Sequence, residues 1–372
     1  MQQQEQDLEL KLRFMKLLWR QGYYLRRNVA VIEFGESTDP YTDIDVVGIK
    51  IDNELNTTLI ICDCKSGQSA RTRERLFWLN GLMKYFNANS AVFLRSKINP
   101  IKYRNLSKTL DITIMSETEL INLESCYDVA ESEYFGSFDQ NQQSMENAFR
   151  TLKKYSPQIH NYIKTDYWID SVPNQITTLI KCCKNLKVIS QLNEQVRPFL
   201  VLYTLSELSI VLIKLAKETM FIPQDQHQEF INIELQGGKT EYQERKRLVG
   251  TFYDFMAREI HEKYKQSYPI KKSEFIESVF SLPYSKYLID LIDRMCLNPT
   301  GFMHIPKILD CMAHNYVLKN KVFDIRKIIS NYDSNIDHIK KALTDFMIFS
   351  ERCELLSSEL IQKKDSIITE FT

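Results

Sequence analysis

Two short acidic stretches, Asp43-Ile44-Asp45 and Asp63-Cys64-Lys65, hold the residues of this 372-residue chain best suited to chemistry. Val46-Val47-Gly48-Ile49 follows the first, and Leu59-Ile60-Ile61-Cys62 leads into the second. Successive side chains of a strand point to opposite faces. Asp63 and Lys65 therefore share a face, Cys64 turns to the other, and Asp43 and Asp45 share a face at the mouth of their own strand. If the two strands pair as a hairpin, two or three carboxylates and one ammonium converge on one spot. Phosphodiester hydrolysis needs an activated water, neutralised phosphate charge and help for the departing oxygen, and one or two Mg²⁺ ions supply all three. Mg²⁺ keeps several waters and takes one or two protein carboxylates. Asp45 and Asp63 suffice as its anchors, with the backbone carbonyl of Cys64 a natural extra ligand. Lys65 is placed to orient the attacking water or to stabilise growing negative charge. The bland alternatives are a solvated strand end for Asp43 and a purely structural Asp63–Lys65 arrangement. Asp63 and Lys65 interrupt a run that should otherwise continue inward, and burying charge without a partner is costly.

The elements that must position these residues follow from apolar spacing. Residues 7–21 carry apolar side chains in a partly helical pattern that Gly22 stops. Strands are expected over 23–34, 43–51 and 58–65, with Asp52-Asn53 and Asn56 turning the last two into a hairpin. A helix is expected over 73–87, with Phe77 and Trp78 in its core face, then a short strand over 90–95 apolar enough to be buried on both faces. Another strand follows over 112–115, and Ser116 with Glu119 forms a capping box for a short helix. Beyond Glu124 the texture changes. Residues 125–144 are acidic and polar and read as a linker. Helices are expected over 145–155, 173–190, 196–219, 241–266, 272–280, 284–296, 304–316, 321–331 and 334–364. The expected division is an α/β domain over 1–124, a linker over 125–144 and an all-α domain over 145–372.

Taken together, helix, strand, Asp-apolar-apolar-Gly strand, Asp-x-Lys strand and amphipathic helix resemble the PD-(D/E)xK restriction-endonuclease-like nucleases, over roughly residues 5–120. The resemblance implies a mixed central sheet flanked by helices and a Mg²⁺-dependent nuclease, with Mn²⁺ able to substitute. It implies metal binding by Asp45 and Asp63 and a catalytic role for Lys65. It further implies an extra glutamate, for which Glu9 on the first helix and Glu33 at the end of the first strand compete, while Asp43 serves the metal's outer shell. Ile44 stands where the family's literal motif has proline. Such nucleases with helical appendages occur in bacterial restriction and phage defence. DNA is expected ahead of RNA, with endonucleolytic cutting, and the helical domain positions substrate, binds a partner protein or regulates. A non-catalytic reading also stands, in which the same fold serves as a scaffold or nucleic-acid-binding subunit.

Charge and composition narrow the field. Lys+Arg and Asp+Glu are equal at 48 each, and residues 1–120 hold 17 against 15, so nucleic acid must be met by a local patch. Gln68, Arg71, Arg73 and Arg75, just after the Asp-x-Lys strand, are the candidates for phosphate or base contacts. Arg20, Arg26 and Arg27 with Tyr23 and Tyr24 are either a strand-binding surface or half-buried sheet residues. The eight cysteines form no CxxC pair, so no zinc site is expected. The most apolar run, 199–216, is interrupted by Glu207, Ser209 and Lys214 and reads as a buried helix rather than a membrane span. With no signal peptide at its start, the chain is expected in the reducing cytoplasm, away from membranes.

Overall fold

A computed structural model describes residues 2–31, 41–67, 71–130, 132–136, 142–320, 322–329 and 335–362. Helix α1 (Gln2–Arg20) runs to a turn at Gly22, which takes the left-handed φ of +93° that glycine adopts without strain. Strands β1 (Tyr24–Val31), β2 (Thr42–Ile51) and β3 (Thr57–Lys65) follow, then α2 (Thr72–Tyr85) and β4 (Ser90–Arg95). Helix α3 (Arg104–Leu110), β5 (Ile112–Ser116) and α4 (Glu117–Cys126) complete the N-terminal part. The strands form one mixed sheet in the order β1-β2-β3-β4-β5. It is antiparallel from β1 to β3 and parallel from β3 to β5. β4 is buried along nearly its whole length, as its unbroken apolar run requires. The expected capping box is present at Ser116 and Glu119.

Gly48 explains its own place in the β2 motif. A Cβ there would lie 2.9 Å from Ile60 Cγ2, 3.1 Å from Tyr23 and 3.2 Å from Leu25. Only a residue without a side chain lets β1, β2 and β3 close over one another at that point.

The remainder of the chain is mostly helical: α5 (Gln142–Tyr155), α6 (Pro157–Lys164), α7 (Val172–Val188), α8 (Val196–Thr219), α9 (His227–Leu235), α10 (Lys239–Tyr264) and α11 (Lys272–Phe280). It continues with α12 (Ser285–Leu297), α13 (Pro299–Phe302), α14 (Ile305–Cys311) and α15 (Ile336–Arg352). α6 and α9 are helices that the spacing did not reveal. The long helix expected over 334–364 stops at Arg352, where Glu354 takes a φ of +59°. Of the helix expected over 321–331, the described residues hold only a 3₁₀ turn at Ile325–Lys327. α8 is long and apolar enough to cross a membrane by length and composition, yet 94% of that window is buried inside the protein. Helices α7, α9, α12 and α14 pack against α8.

Described residues of the stretch expected as a linker pack against both parts. α4 takes up its first residues and α5 its last. Phe135 lies between Trp19 and Phe323, with ring centroids 6.4 and 5.6 Å away, and Gly136 N–H donates to Asn315 Oδ1 at 2.8 Å. The apolar core is continuous across both parts.

Charges are sealed into this junction. Arg26 on β1 is 3% exposed and lies between the rings of Tyr24 and Tyr203, at 4.2 and 3.9 Å from their centroids. It donates to Asp310 Oδ1 at 2.5 Å and Ser206 Oγ at 2.9 Å, and passes 3.7 Å from Glu207. Of the two readings of the Arg20, Tyr23, Tyr24, Arg26 and Arg27 cluster, sheet residues turned inward is the one observed: Tyr24 and Arg26 are buried, Tyr23 and Arg27 half-buried, and Arg20 donates to the carbonyl of Tyr127. The β1 side chains that alternate towards this face meet α8 rather than water.

Candidate active site

The hairpin of β2 and β3 keeps its antiparallel ladder from Ile51↔Thr57 to Val46↔Cys62, and no further. One residue beyond, Asp45 and Asp63 stand opposite each other on the same face. From there the strands part. β2 stays with β1 as far as Thr42↔Val31, while β3 stays with β4 as far as Lys65↔Arg95. The parting leaves the N–H of Cys64 without a strand partner, and Asp45 Oδ2 accepts from it at 2.8 Å. In a strand a residue's N–H and C=O point the same way, so the Cys64 carbonyl shares that notch. Its thiol turns to the core beside Cys62, both side chains buried, as expected from the alternation.

The expected trio meets in the notch. Lys65 Nζ lies 3.1 Å from Asp45 Oδ2 and 3.3 Å from Asp63 Oδ1. The aspartates are 3% and 2% exposed, and Lys65 is half-buried at the mouth. Two further cations join them. Lys11 on α1 reaches Asp45 Oδ1 at 2.5 Å, and Arg75 on α2 grips Asp63 with two bonds, Nε to Oδ2 at 2.9 Å and Nη2 to Oδ1 at 2.5 Å. The Arg75 guanidinium also stacks 3.9 Å from the ring of Trp78. Three cations thus surround two carboxylates, and every oxygen of both aspartates is engaged.

The two acids respond differently. Burial pushes the Asp45 carboxyl up, but Lys65, Lys11 and the Cys64 N–H outweigh it, and the group ends below its ordinary value. Burial also pushes Asp63 up, and there it prevails over Arg75 and Lys65, leaving the carboxyl above its ordinary value. Burial pulls the Lys65 ammonium down, but Asp63 and Asp45 more than restore it, so its pKa is raised. Lys65 is therefore a cation at neutral pH.

The other expected site residues divide. Glu33 and Gln68 lie outside the described residues. Glu9 is exposed and points away from the notch. The helix-borne carboxylate at the site is Asp7 instead, which accepts from Ser66 N–H at 2.7 Å and Ser66 Oγ at 2.6 Å. The physical reason is helical phase. Asp7 and Lys11 continue the inward stripe of Phe14 and Leu18, whereas Glu9 belongs with Arg13, Lys16 and Arg20 on the polar side. Asp43 is exposed at the strand's start. Arg71 and Arg73 are exposed, Arg71 pairing with Glu74 at 3.4 Å, so of the expected arginine cluster only Arg75 reaches the acids. Phe77 is 57% exposed and Trp78 half-buried, because α2 turns Leu76, Leu79 and Leu82 inward instead. Three residues went unanticipated: Lys11, Asp7 and Arg95. Arg95 ends β4, is 4% exposed, and ties down the loop after Lys65 by donating to the Gly67 carbonyl at 3.0 Å and Thr72 Oγ1 at 2.8 Å. Its signal was available, since it ends the apolar run of β4 as Asp63 and Lys65 end that of β3.

Hard carboxylate and carbonyl oxygens suit Mg²⁺, and the position of Lys65 Nζ marks a point that both aspartates reach. Among the described residues no cluster of three or more His, Cys, Asp or Glu side chains forms a fuller cage. An ion here would use Asp45, Asp63, the Cys64 carbonyl and water, and would compete with Arg75 for Asp63. No family model matches the chain, and neither a characterised protein nor a solved structure is significantly similar to it.

Proposed function

We propose that the chain is a metal-dependent nuclease of the PD-(D/E)xK type, hydrolysing phosphodiester bonds in DNA ahead of RNA, by endonucleolytic cutting. The observation that carries this reading is the meeting of Asp45, Asp63 and Lys65 where β2 and β3 part. The order α-β-β-β-α-β around a mixed sheet supports it as well. Asp45, Asp63 and the Cys64 carbonyl would hold Mg²⁺, or Mn²⁺ in its place; a bound ion neutralises phosphate charge and activates water. Lys65, held protonated by its two acids, stabilises the negative charge that grows on the phosphate. Arg75 is the side chain free to change partner: a phosphate entering the notch offers its fork the same two-pronged acceptor that Asp63 does. Bacterial restriction or phage defence is the setting proposed, with the helical part positioning substrate or receiving a partner protein.

The test is cleavage of plasmid, single-stranded DNA and RNA in Mg²⁺ and Mn²⁺ by the parent chain, Asp63→Ala and Lys65→Ala. Cutting by the parent alone supports the proposal, and equal cutting by all three removes it. One observation favours a second reading, a nuclease-like scaffold or nucleic-acid-binding subunit without catalysis. Lys11, Lys65 and Arg75 already neutralise both aspartates, so the cluster is electrostatically complete without an ion. That reading predicts negligible metal binding and no effect of Lys65→Ala on function.

A further inference from the structure

A pocket of about 640 Å³ opens at the other end of the sheet, between the β2–β3 turn, the end of α2, the segment leading into α7 and the last turns of α8. Thr57 lines it from β3, six residues before Asp63; at the rise of a strand that is about 20 Å from the acids. Both parts of the protein contribute walls, and the volume falls within the range of small-ligand sites.

Aromatic, cationic and amide groups in its lining bear on what it holds. Aromatic rings come from both sides: Tyr85, 47% exposed, and Trp168, 8% exposed. Two lysines, Lys214 and Lys217, follow one another along α8 at a spacing that puts them on one face. Lys214 is half-buried and makes no hydrogen bond or ion pair among the described residues. Burial pulls its ammonium below the ordinary value, and Glu218 one turn on restores only part of this. The amide leaves an acceptor over. Gln175 is 4% exposed and donates through Nε2 to the Tyr167 carbonyl at 2.5 Å, yet its Oε1 is buried without a hydrogen-bond partner. Buried polar atoms are nearly always paired.

We infer that this pocket binds a nucleotide, its base against Tyr85 and Trp168 and its phosphate on Lys214 and Lys217. A planar ring suits the aromatic walls, because stacking on a side-chain ring works for any base. Lysine binds phosphate as a point charge. Glu218 is an acceptor for sugar hydroxyls. The nucleotide is either free or the end of a strand; the chemistry at the walls is the same. The inference does not rest on the nuclease reading.

Calorimetry on the full chain in EDTA tests it, with AMP, a 5′-phosphorylated hexadeoxynucleotide and inorganic phosphate as probes. Saturable binding of AMP or the hexamer is expected, with phosphate alone at least ~10-fold weaker. Tyr85→Ala, at a ring 47% exposed, should weaken binding about 10-fold, as loss of one base stack does. Lys214→Gln should weaken it by a similar factor, on the order of one charge-assisted bond. Tighter AMP identifies a free nucleotide and a tighter hexamer a strand end. Asp63→Ala should bind AMP as the parent does, which separates this result from the fate of the catalytic site. The inference is overturned if neither nucleotide binds at millimolar concentration, or if Tyr85→Ala and Lys214→Gln both bind as the parent does.

Discussion

Glu207 gives the sharpest quantitative consequence of the junction between the two parts. It is fully buried on α8, and neither carboxylate oxygen has a hydrogen-bond partner. Burial pushes the carboxyl from its ordinary 4.5 up to about 8, with Arg26 and Lys164 opposing and losing. A raised acid binds a proton in the folded state that the unfolded chain has already released. Between about pH 4.5 and about pH 8, folding therefore takes up a proton at this site, and stability falls as pH rises. The slope is about 1.4 kcal/mol per pH unit, so the whole window is worth up to about 5 kcal/mol. Glu207→Gln keeps the shape and removes the titration. Near pH 5 the variant should match the parent to within about 1 kcal/mol, a typical neutral hydrogen-bond contribution. Its advantage over the parent should then grow steadily to pH 8. Lys164, lowered to about 8 by burial, titrates in the same network, so the difference between the two proteins reports the coupled pair. Urea unfolding at pH 5, 6, 7 and 8 measures it. Parallel stability curves for parent and variant would refute the reasoning, since they would mean that Glu207 is ionised inside the fold throughout.

Further outcomes follow from single contacts. Gly48→Ala should destabilise the protein by about 1–3 kcal/mol, because its Cβ has no room beside Ile60, Tyr23 and Leu25; an unchanged thermal midpoint would contradict this. Arg75→Gln frees Asp63 from a two-bond grip and should raise Mn²⁺ affinity roughly 10-fold, read by calorimetry without nucleic acid, where equal or weaker binding would count against competition. Asp45 has a lowered carboxyl, so its contribution to stability is present above the unfolded value of about 3.9 and lost as pH falls through the folded one. Asp45→Asn should accordingly show a shallower acid-unfolding limb than the parent, and an identical limb would refute the assignment.

Much of the site was legible because charges broke apolar runs. Asp63 and Lys65 end β3 two residues apart, which fixes them to one face whatever the register. Their meeting with Asp45 needed the register too, and the short turn at Asp52–Asn56 supplied it. Helical phase was harder to read. Asp7 and Glu9 lie two residues apart in the first half of α1, and only the continuation of Phe14 and Leu18 back through Lys11 selects Asp7. Apolar residues around much of α2 hid the fact that Phe77 faces outward. Arg26 stays ambiguous in the sequence because nothing local announces Glu207 and Asp310, its partners 181 and 284 residues away. Short helices such as α6 and α9 carry too few turns for their spacing to stand out from a loop.

Mn²⁺ calorimetry on the parent, Asp45→Asn and Asp63→Asn tests most directly whether the two acids form one cation site. The account predicts a Mn²⁺ site in the parent whose affinity drops by about 10-fold or more when either aspartate loses its charge, since loss of even an outer partner at a metal site commonly costs that much. A parent that binds no Mn²⁺, or variants that bind it as well as the parent, would contradict it.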